Sequence, residues 1–138
     1  MKFSIRVQYG LQALLELALR FGGEPVQIRD IAKAQKVPIR YLEQLLLILK
    51  RRGLVVSARG KNGGYNLAKH ASDISALEII ETLDGSIELA NKKMKKTPVL
   101  LEAFQAIEDN IKKDLSKLTL EDLVFKKRQR ERSYIYNI

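Results

Sequence analysis

The stretch from Pro38 to Tyr65, PIRYLEQLLLILKRRGLVVSARGKNGGY, constrains the fold more than any other part of the chain, because its hydrophobic period changes abruptly at a glycine. Up to Arg52, the leucines at 42, 45, 46 and 49 recur at the spacing of one helical face, while Tyr41, Gln44, Ile48 and Arg51 fall on other faces. Pro38 suits the first turn of that helix, where the amide it lacks would have no intrahelical partner. Beyond Gly53, Leu54-Val55-Val56-Ser57 and Tyr65-Asn66-Leu67-Ala68 read as two short strands. Arg59 to Gly64 turns between them, since Asn and Gly accept positive φ.

Upstream, Val7, Leu11, Leu14, Leu15, Ala18 and Leu19 recur at helical spacing, predicting a helix over about 7–21 that stops at Gly22-Gly23. A shorter helix is expected over about 27–35, with Ile28, Ile31 and Ala32 inward, followed by a turn at Lys36-Val37-Pro38. Three helices running into a hairpin are the layout of a winged helix-turn-helix, so the fold class is mainly α with a small β-hairpin wing. The third helix opens with Arg40, Tyr41, Glu43 and Gln44 and closes on Lys50, Arg51 and Arg52. At about 1.5 Å per residue it is about 20 Å long, enough for its first two turns to enter a major groove while the leucines face a core. Glu43 and Gln44 are candidates for base or phosphate contact, against the plainer reading of solvated helix residues.

Charge agrees with that assignment. Residues 1–70 hold 13 Lys and Arg against 4 Asp and Glu, whereas residues 71–138 hold 12 of each, so the whole net charge of +9 lies in the first half. Such a field raises encounter rate with any polyanion, and the fold signal has to point to DNA. The chain has no cysteine and one histidine, His70, which excludes disulfides, thiolate zinc sites and cysteine-ligated iron–sulfur clusters. His70 reads as a surface residue closing the wing. No apolar run approaches the roughly 18 residues of a membrane span, and the start of the chain lacks the order of a signal peptide, so a cytoplasmic location is expected. No nucleophile–base pair or phosphate loop suggests an enzyme.

The composition shift near residue 70 divides the expected organisation into a DNA-binding domain, 1–70, and a dimerisation region, 71–138. In the latter, Ser75-Ala76-Leu77-Glu78 is a capping-box pattern opening a helix to Asp84-Gly85. The run Lys92-Lys93-Met94-Lys95-Lys96 is expected to be an exposed, mobile loop. Pro98 then opens a long helix in which Leu101, Phe104, Ile107, Ile111, Leu115 and Leu118 form a stripe to be buried against a partner. Thr119 to Asp122 looks like the cap of a last short helix, after which the basic run Lys126 to Arg132 leads to a tail from Ser133 to Ile138.

The residues Tyr9-Gly10, Tyr41-Leu42-Glu43-Gln44, Gly53-Leu54-Val55, Arg59-Gly60 and Gly63-Gly64-Tyr65, with Ile79-Ile80 and Thr119 to Leu123 further on, make the chain resemble the Rrf-two family of bacterial transcriptional regulators over nearly its whole length. The resemblance implies a homodimer joined through the helix from Pro98 and bound to a partly palindromic operator. In cluster-bearing members of that family three cysteines precede the long helix. Here the corresponding stretch, about 87–97, has none, so no cofactor is expected. In its short cysteine-free stretch and its aromatic-rich tail the chain resembles a cluster-free member that represses cysteine metabolism with cysteine synthase as corepressor. That likeness implies a partner-binding tail of Tyr134, Ile135, Tyr136 and Ile138. The wing candidates for DNA contact are Arg59, Lys61, Asn62, Gly63 and Gly64. Ser4, Arg6 and Tyr9 are candidates to set the first helix on phosphates, with plain surface and core roles as the alternative. Lys50 and Arg51 either screen phosphates or complement the helix dipole. Two rival readings remain open: the same fold answering to a small metabolite, and an interaction module without operator specificity.

Overall fold

The computed structural model describes residues 2–136 of the chain. Helix α1 spans Ile5–Leu19, starting earlier than the apolar period suggests because the Ser4 hydroxyl caps it, its Oγ accepting the Val7 amide at 3.2 Å. Helix α2 spans Ile28–Gln35 and ends at Lys36, whose left-handed φ of 55° reverses the chain. Helix α3 spans Ile39–Arg51, and Gly53 at φ +77° releases the chain into the hairpin. Strands β1 (Val55–Ala58) and β2 (Gly64–Leu67) pair antiparallel from Val55↔Leu67 to Ala58↔Gly64, each beginning within a residue of the expected position. The hairpin is fastened to the rest of the domain by a bridge that the apolar pattern does not announce. Val26 and Tyr65 exchange both backbone hydrogen bonds, at 2.9 and 2.8 Å.

After a 3-10 turn at Ala71–Asp73, helix α4 (Ala76–Asp84) is capped by Ser75, whose Oγ accepts the Glu78 amide at 3.1 Å. Only half of the expected capping box forms, because the Glu78 carboxylate turns instead to Lys69, 3.0 Å away. The lysine run is not irregular: Lys92–Lys96 forms a 3-10 turn, which Asn91 initiates by accepting the Lys93 amide at 2.8 Å. Helix α5 runs Pro98–Lys117.

Helix α6 departs furthest from expectation. It runs Leu120–Tyr136, so the basic run and the start of the tail are helical rather than beyond a short helix. Thr119 and Asp122 cap it reciprocally, at 3.0 and 3.1 Å. The accepted Thr119 amide, then its hydroxyl, hold the Asp122 carboxyl below its ordinary pKa. Nothing from 120 to 136 is Gly or Pro, and Lys127 pairs with Glu131 one turn on, so no local signal stops the helix.

A single core joins the two halves. Val7, Leu14 and Leu17 of α1 pack with Ile31, Leu42, Leu46, Leu49, Leu54, Ile79, Leu120 and Val124. Ala76 donates to the Leu118 carbonyl at 2.7 Å and Leu120 to the Ile74 carbonyl at 3.0 Å, so the starts of α4 and α6 are stitched together and α6 returns along α1. The described helices include none long and apolar enough to cross a membrane.

Candidate nucleic-acid interface

The inner stripe of α3, Leu42, Leu45, Leu46 and Leu49, is buried as its spacing requires. The consequence is an outward face on which Arg40, Glu43, Gln44, Lys50 and Arg51 are all exposed. Among the described residues no side-chain hydrogen bond or ion pair engages Arg40, Glu43 or Gln44. Three polar side chains at the front of one helix are thus left with their hydrogen-bonding capacity unspent. Tyr41, by contrast, is half-buried and meets Tyr9 edge to face at 5.5 Å, a contact that sets α1 against α3. Ser4 spends its oxygen on the α1 cap, and Arg6 is exposed in the first turn of α1.

At the wing, Arg59, Lys61 and Asn62 are exposed at the tip. The two glycines beside them have packing reasons of their own. Gly63 is buried, and a Cβ there would lie 2.5 Å from the Ala58 carbonyl oxygen. Gly64, at φ +147°, lies against the Val26 backbone, so close that a Cβ would fall 2.5 Å from the Val26 carbonyl carbon. Gln27 reaches from the start of α2 to the Lys61 carbonyl at 3.4 Å.

A polar network that the sequence reading missed aligns the helix-turn-helix from behind. Glu16, buried on α1, accepts from Arg20 at 2.7 Å and from the Gln35 amide at 3.0 Å, and Gln12 donates to the Gln35 carbonyl at 3.1 Å. The signal was available: Glu16 is the one acid of α1 and lies among its apolar positions.

Away from this face, Leu101, Ile111, Leu115 and Leu118 are half-buried, whereas Phe104 and Ile107 remain 39% and 48% exposed. Val99 and Leu100, outside the expected stripe, extend the apolar surface. The fully buried residue of α5 is Glu108. Its Oε1 accepts the Leu89 amide at 2.8 Å and its Oε2 the Gln105 amide at 2.7 Å, tying the segment after α4 onto α5. The Leu89 bond, assisted by Gln105 and Lys112 and opposed by burial, holds this carboxyl below its ordinary pKa. Tyr134 and Ile135 are exposed near the end of α6, Tyr136 is its last residue, and Ile138 lies outside the described residues. His70 is exposed, accepts the Ser72 amide at 3.1 Å, and approaches Glu121 of α6 at 3.5 Å.

The family model described as "Iron-dependent Transcriptional regulator", Rrf2, matches residues 3–126. The chain belongs to the Rrf2 family. It is 36% identical to the transcriptional regulator CymR of Bacillus subtilis over 138 residues, covering 100% of both chains. The solved structure of that global cysteine regulator superimposes with a TM-score of 0.78 at 35% identity, covering 91% of this chain and 98% of CymR. An IscR from T. potens matches with a TM-score of 0.76 at 36% identity over 91% of this chain and 88% of its own. This Rrf2 member is therefore a winged-helix, DNA-binding transcriptional regulator whose relatives are named as regulators rather than enzymes. Its residues do not fit the iron of the family description as a thiolate-bound cluster. The stretch before α5, residues 87–97, has four lysines and no cysteine, and Glu108 already serves two amide donors.

Proposed function

We propose that this Rrf2 protein is a repressor that binds a partly palindromic operator as a homodimer, residues 1–70 contacting DNA and residues 71–138 setting the dimer. The observation that carries the reading is the front of α3, where Arg40, Glu43 and Gln44 stand exposed and, among the described residues, without side-chain partners, in a domain whose wing tip is also exposed and basic. In this reading Glu43, Gln44 and Arg40 address base edges or phosphates. Arg59 enters the minor groove with Lys61 and Asn62 alongside, Gly63 and Gly64 give the wing its shape, and Arg6, Ser4, Tyr9, Lys50 and Arg51 support on phosphates. The apolar surface of α5 left exposed by its own chain, Phe104 and Ile107 with Val99 and Leu100, is covered by the same face of a second copy, while Ile111 and Leu115 of the expected stripe turn toward α4 and the start of α1 in this chain. Two-fold symmetry then puts the half-sites about 34 Å apart, one turn of DNA. The protein works in the cytoplasm without a cofactor.

The test compares a palindromic duplex, selected from random sequence by the full-length protein, with a scrambled duplex at fixed salt. A specific regulator prefers the former by at least about 10³-fold, whereas an interaction module binds both alike.

Likeness to a cysteine regulator supports control of sulfur metabolism, with cysteine synthase as corepressor gripping the region of Tyr134, Ile135, Tyr136 and Ile138. Tyr134 and Ile135 are exposed, as such contact requires, though helical, so an extended docked form would cost the last turn of α6. Titration of cysteine synthase against the protein with and without residues 135–138 checks this; equal binding by both refutes it. A second reading, a small metabolite as signal, is favoured by a cavity of about 520 Å³ between the start of α1, the end of α4 and α5, lined by Phe3, Ile80, Ile87, Ile111 and Leu115.

A further inference from the structure

The outer face of α3 carries two branched aliphatic side chains among its polar ones, Ile39 at 44% exposure and Leu47 at 48%. We propose that Ile39 is a specificity residue that reads one thymine in each half-site by packing on its C5-methyl group in the major groove, an inference that rests on the operator-binding reading above.

Ile39 is the first residue of α3, and the first turn of such a helix is the part that reaches base edges. Glu43 lies four residues on and Arg40 lies beside it, so Ile39 stands over Glu43 on the same face. A pose that brings Arg40, Glu43 and Gln44 to base edges therefore carries Ile39 into the same groove. Isolated exposed aliphatics are ordinary on protein surfaces. What sets Ile39 apart is its place among the reading residues, where the thymine methyl is the one apolar group on the major-groove edge. The core has no claim on it, since Leu42, Leu45, Leu46 and Leu49 fill the inner stripe. Its direction is also fixed before DNA arrives. Val37 is buried, Pro38 holds the N-cap at φ −60° and ψ 132°, and a β-branched side chain in a helix keeps essentially one χ1 rotamer. Contact with a methyl thus costs little ordering and takes apolar surface of both partners out of water. Leu47, two turns further along and equally exposed, lies past the base-reading turns and serves as an internal control.

The test replaces the thymines of the selected duplex, one symmetric pair at a time, with deoxyuridine, which keeps every hydrogen-bonding group and removes only the methyl. Affinity is measured at fixed salt for the full-length protein, Ile39→Ala and Leu47→Ala. The expected result is one pair at which deoxyuridine weakens the unmodified protein about fourfold per half-site, the worth of one buried methyl group. That loss disappears in Ile39→Ala and persists in Leu47→Ala. The proposal is overturned if no thymine pair shows the loss, or if the loss at every pair is the same in Ile39→Ala as in the unmodified protein. Failure of the unmodified protein to prefer selected over scrambled duplex is a separate outcome, which sinks the operator-binding reading and this inference with it.

Discussion

Gly64→Ala should unfold the wing from its anchor rather than merely remove a DNA contact. A Cβ at this position falls 2.5 Å from the Val26 carbonyl carbon and 2.9 Å from the Gln27 nitrogen, against ordinary contact from 3.4 Å, so about 0.9 Å of movement is required. Neither neighbour can yield like a side-chain end, because both are backbone. The movement must come from the bridge, where Val26 and Tyr65 are bonded at 2.9 and 2.8 Å. Losing those two bonds costs roughly 1–3 kcal/mol, and holding a non-glycine residue at φ +147° costs about 1–3 kcal/mol more. A total of about 2–6 kcal/mol lowers the thermal midpoint of a chain this size by on the order of 10 °C or more. Gly60→Ala is the control. Its φ of +103° carries strain, but nothing lies within 4 Å of its Cβ, so its loss should stay near the strain alone. Calorimetry or urea unfolding of both variants, with duplex affinity measured in parallel, separates the effects. If Gly64→Ala unfolds at the same midpoint as Gly60→Ala and loses only affinity, the packing argument is wrong and the glycine acts at the DNA.

Replacing Ile107 with Glu places a charge on the exposed apolar face of α5 and should convert a dimer to a monomer in sedimentation, with at least tenfold weaker operator binding; an unchanged dimer would show that this face is not the interface. Glu43→Ala should change the preferred base at one position of each half-site, at about 1–3 kcal/mol of discrimination, while leaving affinity for random duplex nearly constant; equal losses on both would remove Glu43 from base reading. The Glu108 carboxyl is depressed in the folded state, so its hold on Leu89 is present above the ordinary carboxylate range and is lost as pH falls through its lower folded value. The Leu89 amide proton shift should titrate below that range, and Glu108→Gln should abolish the titration; a shift independent of pH in the unmodified protein would contradict the assignment.

The winged helix-turn-helix was legible because its cues are local. The leucine stripe of α3, the switch to strand at Gly53 and the Asn-Gly turn need only the periods of helix and strand and the steric freedom of glycine. The same reading stopped α6 too early because helix ends without Gly or Pro are not marked in the chain. It also missed the Glu16 network and the Val26–Tyr65 bridge, which join residues 19 and 39 positions apart in sequence.

The sequence by itself determined the elements of the winged helix-turn-helix, the inward face of α3, and the placement of all the excess positive charge in the half that carries α3 and the wing. Only the tertiary structure decided which polar groups on those elements were left unspent. Burial and packing are settled between segments: the rings of Tyr9 and Tyr41 took each other, Glu16 took the Gln35 side chain and Gly64 a backbone crossing. Among the described residues Arg40, Glu43 and Gln44 stayed without side-chain partners at the surface, with Ile39 on the same helix, and Arg59 stayed exposed at the wing tip.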